Sequence, residues 1–336
     1  MKKNLSILLA CFLLTGNLAL AQDATISSDF AQSSDTKAQR LSFFNHLDVA
    51  VEAGSTGIGF DVATNLGNSL RLRAGFSAMP EFTLGMNFGV DVDEQLGRTA
   101  EEGTGESTFD KLSNMIEGMT GTKVSQNIEM LCKPNFYNFK LLLDIHPFQN
   151  KKWYFSPGVF IGSAKIGHAY NAPESMPTLY AANMYNTMYN NAMNDEPIIV
   201  MGSFELYPTE KLIEEMFSYG ELGFKVGDRI SDGSAYKMMP NEYCMVSADM
   251  KVNAVKPYLG FGYGGNALAS SNKKLQFSFD CGLLFWGGVP NLVTHDGTDL
   301  VHDVTGIEGK MGQCVDLVKY LKVFPVINIR LTRTIF

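Results

Sequence analysis

Residues 255–290 read VKPYLGFGYGGNALASSNKKLQFSFDCGLLFWGGVP. Two strands and a turn are written in this stretch. Leu275, Phe277, Phe279, Cys281, Leu283 and Phe285 fall on one face, with Gln276, Ser278, Asp280 and Gly282 on the other. That is the period of two which a β-strand imposes. A soluble sheet turns such an apolar face toward a core. Here the opposite face carries Asp280 and glycines, so the rest of the chain must decide which face meets which solvent.

The N-terminus bears on that choice. Lys2 and Lys3 precede an apolar run from Leu5 to Leu14, and Ala19-Leu20-Ala21 forms a small-x-small site before Gln22. Residues 1–21 therefore read as a secretory signal peptide. Lipid attachment at Cys11 is disfavoured, because Phe12-Leu13-Leu14 continues the apolar core past it. Residues 22–45 are largely polar and read as a flexible periplasmic lead-in. No later stretch approaches the roughly 18 apolar residues of a membrane helix.

Composition narrows the class. The 336 residues include 32 glycines and 11% aromatics, which favours strands and turns over a helical bundle. The formal net charge of −8 becomes two units more negative without Lys2 and Lys3, which argues against nucleic acid as a partner. Cysteines 132, 244, 281 and 314 remain beyond the signal. Cys281 lies on an apolar strand face, and the spacing of Cys132, Cys244 and Cys314 does not say which two of them pair.

Further strands alternate in the same way. Leu47, Val49, Val51 and Ala53 oppose Asp48 and Glu52, and after Gly54-Ser55-Thr56-Gly57, Ile58, Phe60 and Val62 oppose Asp61. Either a tight hairpin separates two strands or a bulge shifts the register of one. Leu70, Leu72, Ala74 and Phe76 oppose Arg71 and Arg73. Tyr137 to Ile145 sets Lys140 and Asp144 against Phe139, Leu141 and Leu143. Trp153 to Gly162 returns, and Val323 to Phe336 closes the chain with Arg330 on its polar face.

Connections alternate between short (65–68, 148–152, about 264–273) and long (91–133, 171–244, 291–322). Transmembrane barrels show this asymmetry, with short periplasmic turns and long extracellular loops. The three long segments hold 25 of the 35 acidic residues and 11 of the 27 basic ones, so they read as solvated. Thr108 to Met119 has helical periodicity, Thr209 is placed to cap another helix, and Tyr180, Met184, Met188, Tyr185 and Tyr189 share helical spacing.

The polar strand faces collect Asp48, Glu52, Asp61, Asp144 and Asp280 with Arg71, Arg73, Lys140, Lys256 and Arg330. An Arg or Lys facing lipid at the midplane costs about 2–4 kcal/mol. The charges are therefore expected to form a network inside the lumen, with the apolar stripes outside. No open edge is tolerated in hydrocarbon, so the sheet must close. The expectation is an all-β chain whose residues 46–336 form a single closed antiparallel transmembrane β-barrel of eight strands. Ten strands, or a bulged first strand, stand as alternatives.

The stretches Lys256-Pro-Tyr-Leu-Gly-Phe-Gly, Phe277-Ser-Phe-Asp-Cys-Gly-Leu-Leu-Phe-Trp-Gly, Leu70-Arg-Leu-Arg-Ala-Gly-Phe and Phe324-Pro-Val resemble the small outer-membrane β-barrel proteins of Gram-negative bacteria, of OmpA type or OmpW type. The resemblance covers the strands and not the long loops. It implies a location in the outer membrane, contact with lipid and lipopolysaccharide, and handling by the barrel-assembly machinery. One departure is the terminus, where Phe336 shares parity with Arg330, Thr332 and Thr334 instead of with the apolar positions.

Other motifs weigh less. Gly260-Phe-Gly-Tyr-Gly-Gly265 matches a dinucleotide fingerprint, but no helix pattern follows, so small inward residues in a tight barrel explain it better. His295-Asp-Gly-Thr-Asp-Leu-Val-His-Asp303 gathers ligand types suited to a divalent cation without a spacing that fixes a geometry. No catalytic set is gathered at one rim, and neither a cofactor nor a resident metal is expected. The expected role is structural or surface-binding through the extracellular loops, with a lumen filled by side chains; a narrow solute channel is the alternative, and an enzyme with a loop-borne site stands further off.

Overall fold

A computed structural model describes residues 46–89, 108–125, 127–148, 152–266 and 275–335. All belong to the compact unit Phe43–Phe336, and the fold below is that of this unit. The signal-peptide and lead-in readings, and the terminal Phe336, lie outside the described residues.

In chain order the strands are β1 (Leu47–Gly54), β2 (Gly57–Asn65), β3 (Leu70–Ala78), β4 (Leu84–Gly89), β5 (Asn127–Pro134), β6 (Tyr137–Ile145), β7 (Trp153–Gly162) and β8 (Lys165–Asn171). There follow β9 (Ile199–Met201), β10 (Phe204–Leu206), β11 (Phe224–Arg229), β12 (Ala235–Met238), β13 (Ser247–Lys251) and β14 (Val255–Asn266). The last are β15 (Leu275–Leu284), β16 (Asn291–Thr294), β17 (Val304–Thr305) and β18 (Phe324–Thr334). The helices are α1 (Thr108–Thr120), α2 (Met176–Met193), α3 (Glu210–Tyr219) and α4 (Gly309–Tyr320).

Eight of these strands close into an antiparallel barrel in the order β1-β18-β15-β14-β7-β6-β3-β2, with β1 pairing back onto β2. Eight strands is the expected number, and Leu47–Gly54 is a strand of its own. The turn after it is short because Gly57 adopts φ +95°, a conformation that L side chains rarely adopt. β18 pairs with both β1 and β15 in continuous register.

The faces divide as the alternation requires. Phe60, Phe139, Phe261, Phe279 and Ile329 point outward and are exposed, whereas Asp61, Lys140, Asp280 and Arg330 point inward and are buried. Among the described residues no helix is long and apolar enough to cross a membrane. Trp153 and Tyr263 meet edge to face at 4.9 Å near the short-turn end, an aromatic pair of the kind that lines a membrane interface.

The structure departs from the expectation in the long connections. β5 and β16, in segments read as loops, join β4, β8 and β13 in a five-stranded antiparallel sheet in the order β16-β13-β8-β5-β4. These strands are sequence neighbours of barrel strands β3, β6, β7, β14 and β15 and pair in the same sequence of partners, so the barrel wall continues past its rim. Strand-directed hydrogen bonding does not stop where the lipid stops.

The remaining loop segments have cores of their own. α1, α2 and α3 pack through Ile116, Ala181, Ala182, Tyr185, Met188 and Met216. Thr209 caps α3, its side chain accepting from the Leu212 N–H, as its position foretold. Asn186 both donates to and accepts from the Leu222 backbone, fixing the strap that follows α3. The three-stranded sheet β12-β11-β17 and α4 share another core with the five-stranded sheet, through Val226, Tyr236, Val246, Leu300, Val304 and Val315.

Candidate functional site

The lumen is the first place where charged side chains meet. Near the short-turn end Arg71 Nη2 lies 2.7 Å from Asp48 Oδ2, and Thr334 Oγ1 donates to Asp48 Oδ1 at 2.6 Å. His46 Nε2 adds a contact to the same carboxylate at 3.1 Å.

A larger cluster is centred on Arg73. Its Nη2 donates to Asp144 Oδ1 at 2.9 Å, and its Nη1 lies 3.4 Å from Asp280 and 3.7 Å from Asp61. Arg330 Nη1 approaches Asp61 and Asp280 at 3.5 and 3.6 Å. Lys140 bridges Glu52 and Asp61. Neutral groups complete the cluster: Ser156 donates to Asp144 at 2.6 Å, Tyr154 donates to Asp280 at 2.9 Å, and Arg330 donates to Tyr154 at 3.0 Å.

Nine of the ten residues expected to face the lumen with charge are thus gathered in two clusters, one on Asp48 and one on Arg73. Lys256 stands apart. It is fully buried, and its ammonium donates to Asn138 Oδ1 at 3.1 Å and to the Ser163 carbonyl at 3.0 Å. Around it the lumen turns apolar, with Phe136, Leu142, Phe160, Tyr258, Leu284 and Val326 packed together. Elsewhere buried cations and anions lie within salt-bridge distance of one another, in an interior just wide enough for side chains.

The glycines of Gly260-Phe-Gly-Tyr-Gly-Gly265 belong to this filling. A β-carbon on Gly260 or Gly282 would run into the Tyr258 side chain, and one on Gly262 into the Tyr154 ring. These glycines make room for two inward tyrosines. β14 continues through them as a strand, with no helix start at the motif.

The second site lies in the continuation of the wall. Register places Cys132, Ala169, Ala248 and Thr294 in one row and Met250 opposite Gly167 and Leu292 in another. Directly opposed residues share a sheet face, so this face is built of small and apolar side chains. With Met311, Cys314, Leu317 and Val318 of α4 it borders a half-open cavity of about 430 Å³, further lined by Ile128, Met130 and Leu300.

The other face of the same sheet is polar. Lys165 Nζ and His168 Nδ1 lie 2.6 and 2.7 Å from Asp249 Oδ1. His168 stacks on Tyr170 with ring centres 5.5 Å apart, and Lys133 sits 5.1 Å above the Tyr170 ring. Burial alone would raise the Asp249 carboxyl, but hydrogen bonds from Lys165 and His168 outweigh it and hold the group below its ordinary value.

The sequence reading missed this cavity. Its walls come from β4, β5, β8, β11, β12, β13, β16 and α4, and the one local signal was the stripe Met311, Cys314, Val315 and Val318 at helical spacing.

The remaining candidates hold the fold. His295 Nδ1 faces the Ser247 N–H at 3.3 Å and its Nε2 faces the Met239 carbonyl at 2.9 Å. His302 Nδ1 is 2.8 Å from Asp299 Oδ2, while Asp299 Oδ1 accepts from the N–H groups of Leu292 and Val301. The two imidazoles have separate partners, and among the described residues no three His, Cys, Asp or Glu are grouped to hold a metal ion. Tyr185 and Met188 are buried in the helical core, while Tyr180 is exposed.

A closed sheet with an apolar outside and a charged inside is stable only in a bilayer, because water would solvate the wrong face. The chain is an integral outer-membrane β-barrel. No protein-family model matches it, and no curated protein is similar enough to count as a match. Among solved structures it is similar to CarO2 of Acinetobacter baumannii, at 11% identity and a TM-score of 0.35, over 86% of this chain and 98% of that one. CarO of the same organism gives 12% identity and a TM-score of 0.35, over 86% of this chain and 97% of that one. A major outer membrane protein from Thermus thermophilus gives 12% and 0.22, over 86% and 98%. Likeness at this level carries no argument about role.

Proposed function

We propose that this outer-membrane barrel is closed to solutes and binds a small apolar ligand in the cavity between α4 and the five-stranded sheet, on the extracellular side. The observation that carries the reading is the cavity itself. At about 430 Å³ it falls in the size range of small-molecule sites, and its lining is almost wholly apolar side chains. The filled lumen beneath it supports the first half of the reading: Arg73, Arg330, Tyr154, Phe160 and Lys256 are all buried across the barrel interior. Long connections at one end and short turns at the other match barrels whose long segments face outward, which supports an extracellular cavity.

The test uses the full chain in lipid nanodiscs with N-phenyl-1-naphthylamine, an uncharged apolar fluorophore, and empty nanodiscs as the blank. Saturable enhancement is expected. Ala169→Phe, which adds a ring to the cavity lining, should abolish it while leaving the heat-modifiable gel shift intact. Equal probe affinity in the folded variant, or a wild type indistinguishable from empty nanodiscs, would rule the reading out.

A further inference from the structure

Four cysteines lie among the described residues, and all are free thiols in the structure. Their surroundings differ. Cys281 is on the outward face of β15, between lipid-facing Phe279 and Leu283. Cys244 is buried, with its sulfur 3.5 Å from Asn183 Nδ2. Cys132 and Cys314 line one and the same cavity, from the sheet side and from α4, and both are only partly buried.

We infer that Cys132 and Cys314 are a modification site: in the oxidising exterior they join as a disulfide that ties α4 to β5 and narrows the cavity between them. Three observations support this. The two thiols face a common space and share no other covalent partner. They are near enough for one to act on the other electrostatically; burial raises the Cys132 thiol first, and Cys314 raises it further. The segment bearing Cys314 packs on β4, and Leu84 of β4 is the direct cross-strand partner of Cys132. α4 is thereby held against the strand that pairs with the one bearing Cys132.

The chemistry balances by thiol–disulfide exchange. A disulfide oxidant RSSR accepts attack from one thiolate, giving a mixed disulfide and one RS⁻. The second thiolate displaces the other RS⁻ and closes the Cys132–Cys314 bond. Two protein thiols lose two electrons and two protons, and RSSR leaves as two RSH. Both thiols are raised by burial, so the attacking thiolate is scarce and the exchange is slow near neutrality. A closed bond requires the α-carbons within about 4.4–6.8 Å, which draws α4 onto β5.

The bond itself is independent of any ligand; its effect on the cavity rests on the ligand-binding reading above. The test equilibrates the folded full chain in nanodiscs with oxidised or reduced glutathione, then counts thiols with a maleimide and maps peptides by mass. Oxidation should remove two of the four described thiols and yield a Cys132–Cys314 cross-linked peptide, absent in Cys314→Ser. Four reactive thiols after oxidation, or a bond elsewhere, would overturn the pairing. Oxidised wild type should also take up N-phenyl-1-naphthylamine more slowly than reduced wild type, with Cys314→Ser insensitive to glutathione. A mapped bond with unchanged uptake would overturn the clamp, and a reduced protein that binds no probe would count against the ligand site while leaving the mapped bond intact. Should Cys314→Ser fail to fold, the wild-type thiol count and peptide map alone decide the pairing.

Discussion

The ring of Tyr154 occupies the space that a β-carbon on Gly262 would need, the two residues facing each other across β7 and β14. Gly262→Val should push the ring off Asp280 and Arg330 and destabilise the barrel by about 1–3 kcal/mol, the usual cost of overpacking. The readout is the temperature at which the compact gel form is lost. In Gly262→Val/Tyr154→Ala the second change should cost less than it does alone, since neighbours that share a space do not add. An unshifted transition in the single variant would sink this account.

Arg73 is the cation shared by Asp144, Asp280 and Asp61. Removing one partner from a buried ionic cluster costs about 3–5 kcal/mol, because the remaining charges are left uncompensated. Arg73→Met should therefore lower the yield of folded barrel on refolding from urea into detergent, as should Asp280→Leu. The pair Arg73→Met/Asp280→Leu should recover part of the loss. Full heat-modifiability in both single variants would show that the cluster does not govern assembly.

A lumen packed with Tyr154, Tyr258, Phe160 and the Arg73 cluster is what the proposal of a barrel closed to solutes rests on. The purified chain should give a silent planar bilayer. Reproducible unitary steps from wild type would instead favour the narrow-channel reading.

Above the barrel, Tyr236 donates to Asp296 Oδ2 at 2.8 Å. Burial raises the Asp296 carboxyl, but hydrogen bonds from Thr294, the Thr298 N–H and Tyr236 outweigh it and leave the group below its ordinary value. Its contribution to stability is complete above about pH 4 and lost as pH falls through the lowered value. Tyr236 is pushed up to about 12, by burial first and then by Asp296. The neutral phenol therefore stabilises fully below about pH 10, and that contribution is lost as pH rises through about 12. Near-ultraviolet circular dichroism should show both transitions, and Tyr236→Phe should remove the alkaline one. An alkaline transition that persists in the variant would exclude Tyr236 as its source.

How far the sequence discloses these features depends on the solvent each strand meets. In β14 and β15, lipid outside and packed charge inside give two unlike faces, so Phe277 and Asp280 announce their sides from spacing alone. β5, β8 and β13 are shorter, and small residues such as Ala169, Ala248 and Gly167 stand where a large apolar side chain would have marked the inner face. Their alternation is muted, and it does not mark a second sheet. α4 was hidden for a different reason: Gly309, Gly312 and Asp316 interrupt a stripe that otherwise repeats at helical spacing. The charged lumen was legible because each strand states its own charge; the cavity was not, because it exists only where many separate segments meet.

The wall that runs from β6 into β5 and from β14 into β13 exchanges the chemistry of its two faces at the rim. Below, the inner face carries Lys140, Asp144 and Asp280 and the outer face carries phenylalanines. Above, the inner face carries Met130, Ala248 and Met250 and the outer face carries Lys165, His168 and Asp249. Charged side chains on the outer face above the rim suit water and phenylalanines below it suit hydrocarbon, so the exchange of faces opposes sliding of the barrel along the membrane normal.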